Sequence, residues 1–240
     1  MFFLDRPHKV VGMSGSSGTL FIVGTPIGNT EDITLRALRI LGEVDLVAAE
    51  DTRHTGHLLA HLGLKKALVS YHEFNEAKRT PELLQKLQEG RQIALVSDAG
   101  MPTLSDPGLR LIRAALEAGI KLEVVPGPSA LTAALAGSGM AAPPFLFYGF
   151  LPYKSAQRRK VLATLAPLPC ALAFFESPHR LQKSLADMLE ILGDRRAVVA
   201  RELTKKFEEF LRGPISLLLK GLENRTVKGE ITVFVERPSA

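Results

Sequence analysis

The sequence predicts an α/β fold in which short strands alternate with helices. Two observations support this prediction. Apolar runs of strand length are followed by amphipathic segments that end at glycine. Several of these runs open directly into loops of glycine, proline and small residues, as strands of α/β proteins do at their carboxyl ends. The 240 residues, 46% of them hydrophobic, suffice for one large or two modest domains.

The first half of the chain contains five predicted strands, each followed by a helical pattern. The strands are residues 19–23, 45–49, 67–70, 94–96 and 121–125. The helices cover residues 33–41, 52–62, 79–88, 109–119 and 131–135. Asn29 or Thr30 can cap the first helix, and Asp51 or Thr52 can cap the second. These alternating elements predict an N-terminal domain with a parallel sheet.

The second half reads as a smaller α/β domain with a mixed sheet. Its predicted strands are residues 145–150, 171–175, 197–200 and 228–236, the last alternating as an antiparallel strand does. Residues 208–212 and 216–221 read as short pieces. Residues 14–18 are serine and glycine, so we expect a flexible leader at 1–18. Because Pro143-Pro144 cannot continue a helix and the charge balance changes there, we expect domains at 19–142 and 143–240.

Charge is distributed unevenly along the chain. The formal net charge of +5 arises from −1 over residues 1–144 and +6 over residues 145–240. A basic second half favours a polyanionic partner, although a solvated basic face without a partner has the same pattern.

With Cys170 as the one cysteine, no internal disulfide can form, which favours the cytoplasm. No apolar run reaches the length of a membrane span, so we expect no membrane partner.

The most informative stretch is residues 94–108, which begins as a buried strand and ends at a helix start. Its loop is long and rich in small residues, glycine and proline, so a flat ligand could approach the main chain closely. An ordinary strand–helix connection with difficult turns is the alternative. Polar side chains also follow other strands, notably Glu50-Asp51-Thr52-Arg53 and His72-Glu73.

These residues do not by themselves define a reaction. There is no metal-ligand cluster, Walker loop or strict GxGxxG, and the Ser177 and His179 pair does not establish a catalytic triad. The pattern indicates a cleft enzyme that binds a nucleotide-like cofactor.

Eight short motifs, in order along residues 19–236, together resemble one family. It is the ribosomal RNA small subunit methyltransferase I group of the tetrapyrrole-methylase-like class. The motifs are residues 24–29 (GTPIGN), 49–53 (AEDTR), 97–102 (SDAGMP), 105–108 (SDPG), 125–130 (VPGPSA), 150–152 (FLP), 176–180 (ESPHR) and 228–230 (KGE).

The resemblance implies two α/β lobes with S-adenosylmethionine (SAM) in the cleft between them, and a homodimer. It implies methylation of the ribose 2′-hydroxyl of a cytidine in the decoding region of 16S rRNA, in the free RNA or the small ribosomal subunit. By motif position, the residues expected to bind the cofactor are Pro26, Asp98, Ala99, Gly100, Met101, Pro102, Thr103, Leu104, Ser129, Ala130, Phe175, Glu176 and Glu202.

A base can remove the hydroxyl proton during methyl transfer. Glu50, Asp51, Glu176 and His179 are the candidates, with His54, His72 and Glu73 as runners-up. No metal is expected. The side chains expected to neutralise RNA phosphates are Arg53, Lys154, Arg158, Arg159, Lys160, Arg180, Lys205 and Lys206.

Two other functions are compatible with parts of this pattern. One is SAM-dependent methylation of a tetrapyrrole of the precorrin or uroporphyrinogen type, against which the basic residues Arg158, Arg159 and Lys160 argue. The other is a non-catalytic RNA-binding assembly factor, which would bind no SAM.

Overall fold

The computed structural model describes residues 17–140 and 144–238, which form two compact units. Within these residues, the first unit comprises the chain up to Thr25 together with Ile33–Gly127. The second comprises Pro26–Asp32 and the chain from Pro128 onward. Residues 1–16 of the expected leader, and residues 141–143 around the expected domain boundary, lie outside the described residues.

The first unit is built on a parallel sheet of five strands in the order β3-β2-β4-β1-β5. The strands are β1 (Thr19–Val23), β2 (Leu46–Ala49), β3 (Leu68–Ser70), β4 (Ile93–Val96) and β5 (Lys121–Val125). The helices are α1 (Leu35–Glu43), α2 (Thr52–His61), α3 (Glu76–Gln88) and α4 (Leu109–Glu117). The predicted α/β class is therefore confirmed.

Both faces of this sheet are covered by apolar packing. Phe21 and Val23 of β1 belong to a cluster with α1, whereas Leu20 belongs to a second cluster with Leu83 of α3 and Leu111 of α4. Successive strand residues point to opposite faces, so a strand covered on both sides must be apolar throughout. This is why β1 and β4 read as continuous apolar runs.

Helix starts in this unit agree only partly with the sequence. Asp51 caps α2 by accepting a hydrogen bond from the Arg53 N–H at 2.8 Å, as expected. The cap of α1 is Thr34, whose hydroxyl accepts from Ala37 N at 3.0 Å. The expectation of Asn29 or Thr30 as this cap is therefore wrong, because Thr30–Asp32 form a separate 3-10 turn.

The second unit contains a mixed sheet in the order β6-β7-β10-β8-β9. Only β6 and β7 are parallel; the other pairs are antiparallel. The strands are β6 (Phe145–Phe150), β7 (Ala171–Glu176), β8 (Arg196–Arg201), β9 (Glu209–Pro214) and β10 (Ile231–Val235). The helices are α5 (Ala130–Ser138), α6 (Ser155–Leu165), α7 (Leu181–Leu192) and α8 (Ile215–Leu222). The two short pieces of the sequence are thus β9 and α8.

Helix α5 belongs to the second unit, so the division at Gly127 precedes the expected boundary at 142/143. The helix packs against β8, β9 and β10. Gly137 is so close to the Phe210 ring that a Cβ there would lie 2.3 Å from it, and Arg212 donates to the carbonyls of Gly137 and Ser138. Within residues 17–140 and 144–238, no helix is long and apolar enough to cross a membrane.

Candidate active site

The loop after β4 is held against the end of β1 by backbone contacts. Thr25 N donates to Gly100 O at 2.9 Å, and Gly100 N donates back to Thr25 O at 3.1 Å. The Thr25 hydroxyl adds a bond to Ser97 O at 3.2 Å. Gly24 packs against the Gly127 backbone, where a Cβ would lie only 2.8 Å away. The small residues of these motifs therefore permit a close approach of main chains.

Beyond Gly100, the same loop takes unusual backbone conformations. Thr103 and Ser105 have φ values of 72° and 75°, which side chains rarely adopt. Gly108 has a φ of 134°, and a Cβ there would lie 2.8 Å from Leu95 Cδ2. Such conformations persist only where the surrounding structure imposes them, and they concentrate at ligand sites. These conformations support the prediction that this loop binds the cofactor.

The ends of β2 and β4 meet through carboxylates. Asp98 Oδ1 accepts from Asp51 N at 3.0 Å, and Glu50 Oε2 accepts from Asp98 N at 3.4 Å. Asp98 Oδ2 makes no hydrogen bond among the described residues. The structure therefore places Glu50, Asp51 and Asp98 together, and it leaves one oxygen of Asp98 available to a hydroxyl or a cation.

Glu50 and Asp51 differ sharply as proton acceptors. Hydrogen bonds from the Arg53 side chain and backbone lower the pKa of Asp51 to about 2. Burial raises the pKa of Glu50 above its usual value, and the nearby charges of Asp98 and Glu73 add to the increase. A carboxylate with a raised pKa is the stronger base, so Glu50 fits a general base better than Asp51 does. Arg53 is paired with Asp51 at 2.9 Å.

A cavity of about 970 Å³ lies within the first unit beside Glu50. Its wall includes the turn after β3 and the start of α4, with these residues lining it: Glu50, His72, Glu73, Phe74, Glu76, Ser105, Asp106, Pro107, Gly108, Leu109, Arg110, Arg113, Ala114 and Glu117. The sequence pointed to the segment of residues 71–75, which contains His72, Glu73 and Phe74, but it missed Arg110 and Arg113. The spacing of the two arginines, three residues apart on one helix face, is the signal that was available.

In the second unit, Glu176 is committed to internal contacts, and its assignment as a catalytic base is corrected. The residue is 2% exposed. Its carboxylate accepts from Ser184 Oγ and from Ser177 N at 2.8 Å, and Arg180 Nε lies 3.3 Å away. Arg180 also donates to Leu151 O. His179 is exposed and remains a candidate.

Arg158 is buried, so its assignment to the RNA-binding set is also corrected. It is 3% exposed, and its Nε donates to Asp187 at 2.6 Å. Its Nη1 donates to the carbonyls of Pro152 and Tyr153. Asp187 also accepts from Ser155 Oγ at 2.9 Å. A guanidinium used in this way cannot reach a phosphate.

The other predicted cations of this unit fall into two groups. Lys205 is bound to Glu202 and Glu230, both at 3.0 Å, and Arg159 is bound to Glu190. Lys154, Lys160 and Lys206 are exposed. Lys206 lies 5.7 Å from the centre of the Phe207 ring and makes no ion pair among the described residues. Of the predicted cations of this unit, these three exposed lysines make no ion pair among the described residues, so they are the ones best placed to contact a polyanion.

Glu202, expected at the cofactor, is held by its own unit. Its φ is 50°, and its Oε1 accepts from Lys205 Nζ at 3.0 Å and Glu230 N at 3.1 Å. Burial favours the protonated form, but these hydrogen bonds outweigh it and keep the pKa of Glu202 below its usual value. A Cβ on Gly229 would meet this carboxyl, which explains the glycine of the motif at residues 228–230.

The remaining cofactor candidates occupy loop and strand ends of the second unit. Pro26 begins the short segment Pro26–Asp32. Ser129 precedes α5 without a capping bond from its hydroxyl, and Ala130 begins that helix. Phe175 packs against Phe147 and Phe150, with ring centres 4.8 and 5.6 Å apart.

Among the described residues, no group of three or more His, Cys, Asp and Glu side chains could hold a metal ion.

The family of the chain follows from a comparison with known proteins. The model of the Tetrapyrrole (Corrin/Porphyrin) Methylases matches residues 19–218. The chain belongs to this family.

Several curated relatives are about 50% identical to this chain over more than nine tenths of its length. The protein named Ribosomal RNA small subunit methyltransferase I from Thermotoga maritima is 51% identical over 218 residues, which cover 91% of this chain and 98% of that protein. The proteins of the same name from Halalkalibacterium halodurans and Escherichia coli O157:H7 are 50% and 51% identical, with 76% and 78% of their lengths covered.

Two solved structures share the fold of this chain. Uroporphyrin-III-C-methyltransferase from Thermus thermophilus matches with a TM-score of 0.66 at 24% identity, covering 92% of this chain and 94% of that one. Diphthine synthase matches with a TM-score of 0.71 at 18% identity, covering 92% and 90%. At these identities, the two similarities show that the fold is shared.

Proposed function

We propose that this chain transfers a methyl group from SAM to the ribose 2′-hydroxyl of a cytidine in the decoding region of 16S rRNA. The observation that carries the proposal is about 50% identity, over more than nine tenths of the chain, to proteins named Ribosomal RNA small subunit methyltransferase I. The basic second half of the sequence supports an RNA substrate. At 24% identity, the similarity to uroporphyrin-III-C-methyltransferase supports the fold and does not extend to its substrate.

The chemistry of the first unit fits a SAM-binding loop. Asp98–Leu104 contain the small residues Ala99 and Gly100 next to a carboxylate oxygen of Asp98 that makes no hydrogen bond among the described residues, which suits ribose hydroxyls and a positively charged ligand. In the second unit, the Ser129 hydroxyl and the end of α5 suit a carboxylate. We assign cofactor contacts to these residues, to Pro26, Ala130 and Phe175, and to the backbone of Glu176. We also keep Glu202 as a cofactor contact, and its side chain already binds Lys205.

Methyl transfer to a hydroxyl needs alignment and a proton acceptor. Bound SAM supplies an electrophilic methyl group. We propose that Glu50 accepts the 2′-hydroxyl proton as the oxygen–carbon bond forms, because its pKa is raised and its carboxylate makes one weak bond to Asp98 N. His179 is the second candidate. Asp51 is a poor one, since its carboxylate caps α2 and binds Arg53.

Contact with RNA phosphates is assigned to Lys154, Lys160 and Lys206, with Arg159 as a further contact. Arg53, Arg180 and Lys205 already neutralise carboxylates of their own units, so they contribute less to attraction of a polyanion. The substrate is 16S rRNA or the small ribosomal subunit, the protein acts where that RNA is made, in the cytoplasm, and its working form is a homodimer.

Labelled SAM, offered separately with small ribosomal subunits and with a porphyrinoid, tests the proposal. Transfer of label to 16S rRNA, followed by mapping to the 2′-oxygen of one cytidine, is the expected result. Transfer to the porphyrinoid alone would contradict it. Failure to bind SAM, with RNA binding retained, would instead indicate an assembly factor.

A further inference from the structure

The cavity of the first unit has a feature that methyl transfer alone does not require. Phe74 lies on its wall with 88% of its surface exposed. Single-stranded nucleic acids are commonly bound by stacking their bases on aromatic side chains of this kind. A solvent-exposed ring beside the proposed general base therefore suggests a platform for a base.

The turn that carries Phe74 is organised by hydrogen bonds. Asn75 Oδ1 accepts from His72 N at 2.9 Å, and Asn75 Nδ2 donates to Ser70 O at 3.2 Å and contacts His72 Nε2 at 3.0 Å. The His72 ring meets Phe74 edge-on at 6.1 Å between centres. The turn after β3 is thus held in place before any ligand binds, which lowers the entropic cost of binding.

The charges on the cavity wall disfavour a phosphate. Five carboxyl groups line the cavity against two guanidinium groups, and Arg110 is paired with Glu76 at 3.2 Å. Such a wall suits an uncharged group that donates hydrogen bonds. Glu76 is paired with Arg110 and Glu50 is the proposed base for the ribose hydroxyl, whereas Glu73 is exposed and makes no ion pair or hydrogen bond among the described residues.

We propose that this cavity holds the target cytosine, extruded from the RNA, with Phe74 stacked on its ring and the Glu73 carboxylate accepting from its N4 amino group. The inference rests on the proposed function and adds the residues that select the base. A carboxylate accepts from the amino group of cytosine. It repels the O4 carbonyl that uracil presents at the same position, so Glu73 discriminates between the two pyrimidines.

The test uses the full chain and small ribosomal subunits that carry either the mapped target cytidine or a uridine in its place. Phe74→Ala is expected to lower kcat/KM by roughly ten- to a hundredfold through loss of stacking. Glu73→Gln is expected to reduce the preference for cytidine over uridine by about tenfold or more, because an amide can also donate to O4. The affinity for SAM, measured by calorimetry, stays unchanged in both variants.

Leu116→Ala and Glu223→Gln are the matched controls, since both replace exposed side chains that do not line the cavity. The inference is overturned if Phe74→Ala and Glu73→Gln behave like these controls. It is also overturned if both variants lose SAM affinity in proportion to activity, because the cavity would then hold the cofactor. A wild-type protein that methylates no ribose would overturn the proposed function and the inference together, which distinguishes the two failures.

Discussion

Glu50 and Asp51 are adjacent carboxylic acids with opposite environments. Asp51 lies where α2 begins and binds Arg53, so its pKa falls to about 2. Glu50 is partly buried near Asp98 and Glu73, so its pKa rises. The sequence showed two acids after a strand and could not separate their roles, because the environment of Glu50 depends on Asp98, which lies 48 positions further along the chain. The difference leads to a test in which each is replaced by its amide.

Glu50→Gln is expected to lower kcat by about a hundredfold or more, as loss of a general base does. The wild-type rate should fall as pH decreases through the raised pKa of Glu50, and this acidic limb should disappear in the variant. Asp51→Asn should keep the limb, because Asp51 is ionised throughout the working range. Initial rates from pH 5 to 9 measure this. A limb that persists in Glu50→Gln would assign the base elsewhere, with His179 next.

Glu50→Gln should also stabilise the fold at neutral pH. A carboxyl group whose pKa is raised by folding favours the folded state only while it is protonated, and its ionisation costs stability as pH rises through the folded-state pKa. The groups facing it, Asp98 and Glu73, disfavour its charge, whereas His72 partly offsets them. Thermal unfolding should therefore show a higher Tm for the variant at pH 7 and no gain at pH 4. A lower Tm at pH 7 would refute the burial argument.

Gly100→Val should weaken SAM binding by roughly tenfold or more, since Gly100 has a φ of 74° and forms the bridge to Thr25. Asp98→Ala should weaken it as well, through loss of the free carboxylate oxygen. Gly63→Val is the matched control, because Gly63 has a φ of 73° in a turn with open space around it. Calorimetric titration with SAM measures all three. Equal affinities for the three variants would mean that the cofactor loop is misassigned.

At the scale of elements, α6 and α7 are joined by the buried pair of Arg158 and Asp187. Sequence reasoning placed Arg158 with its neighbours Arg159 and Lys160 among the cations expected to neutralise RNA phosphates. The partner Asp187 follows 29 residues later and is invisible to local patterns. Replacing Arg158 and Arg159 together by glutamate would leave charge buried and unpaired, so a loss of methylation in that variant would not distinguish misfolding from loss of RNA binding.

Arg158→Ala is expected to destabilise the protein by about 3–5 kcal/mol, because it leaves Asp187 buried without its partner. Arg159→Ala is the control: its ion pair with Glu190 is solvent-exposed and worth about 1 kcal/mol or less. Urea unfolding followed by circular dichroism gives both values. Similar losses for the two variants would show that the burial of Arg158 does not govern this helix pair.

Replacing the exposed lysines 154, 160 and 206 by alanine should weaken binding to small-subunit RNA without changing the affinity for SAM. Each phosphate contact that is lost should reduce the slope of log affinity against log salt by about one. Filter binding at several salt concentrations measures the slope. An unchanged slope in the triple variant would place the RNA on another surface. Lys220→Ala, at the end of α8, is a control for the loss of one exposed lysine outside the predicted set, to be compared with each single lysine variant.

Strands and helices were predictable where the local pattern was strong. They were less predictable at the edge of a sheet and at the start of a helix. β1, β2, β4 and β10 read correctly because buried strands require apolar residues. The edge strand β9 was read only as a short piece, since Gly213 and Pro214 weaken its pattern. The cap of α1 was misplaced because Asn29, Thr30 and Thr34 all suit a helix start, and only the 3-10 turn separates them.

At the scale of the molecule, the α/β class and the methylase family were predictable from the order of the motifs, whereas the extent of each unit was not. The change in charge and Pro143-Pro144 suggested a late boundary, but α5 packs on strands that come much later in the chain. The loop of residues 97–108 could be identified by its glycines and prolines. Its bond to Thr25 and the cavity with Phe74 depend on tertiary contacts, which no local pattern contains.

The central claim, that this family member methylates a ribose of ribosomal RNA, is tested most directly by mapping the product. Purified protein, SAM and small ribosomal subunits lacking the modification are incubated, and the 16S rRNA is analysed by mass spectrometry of its nuclease fragments. The account predicts one additional methyl group, on the 2′-oxygen of a single cytidine in the decoding region. A methyl group on a base, or 16S rRNA left unmodified while a porphyrinoid is methylated, would contradict it.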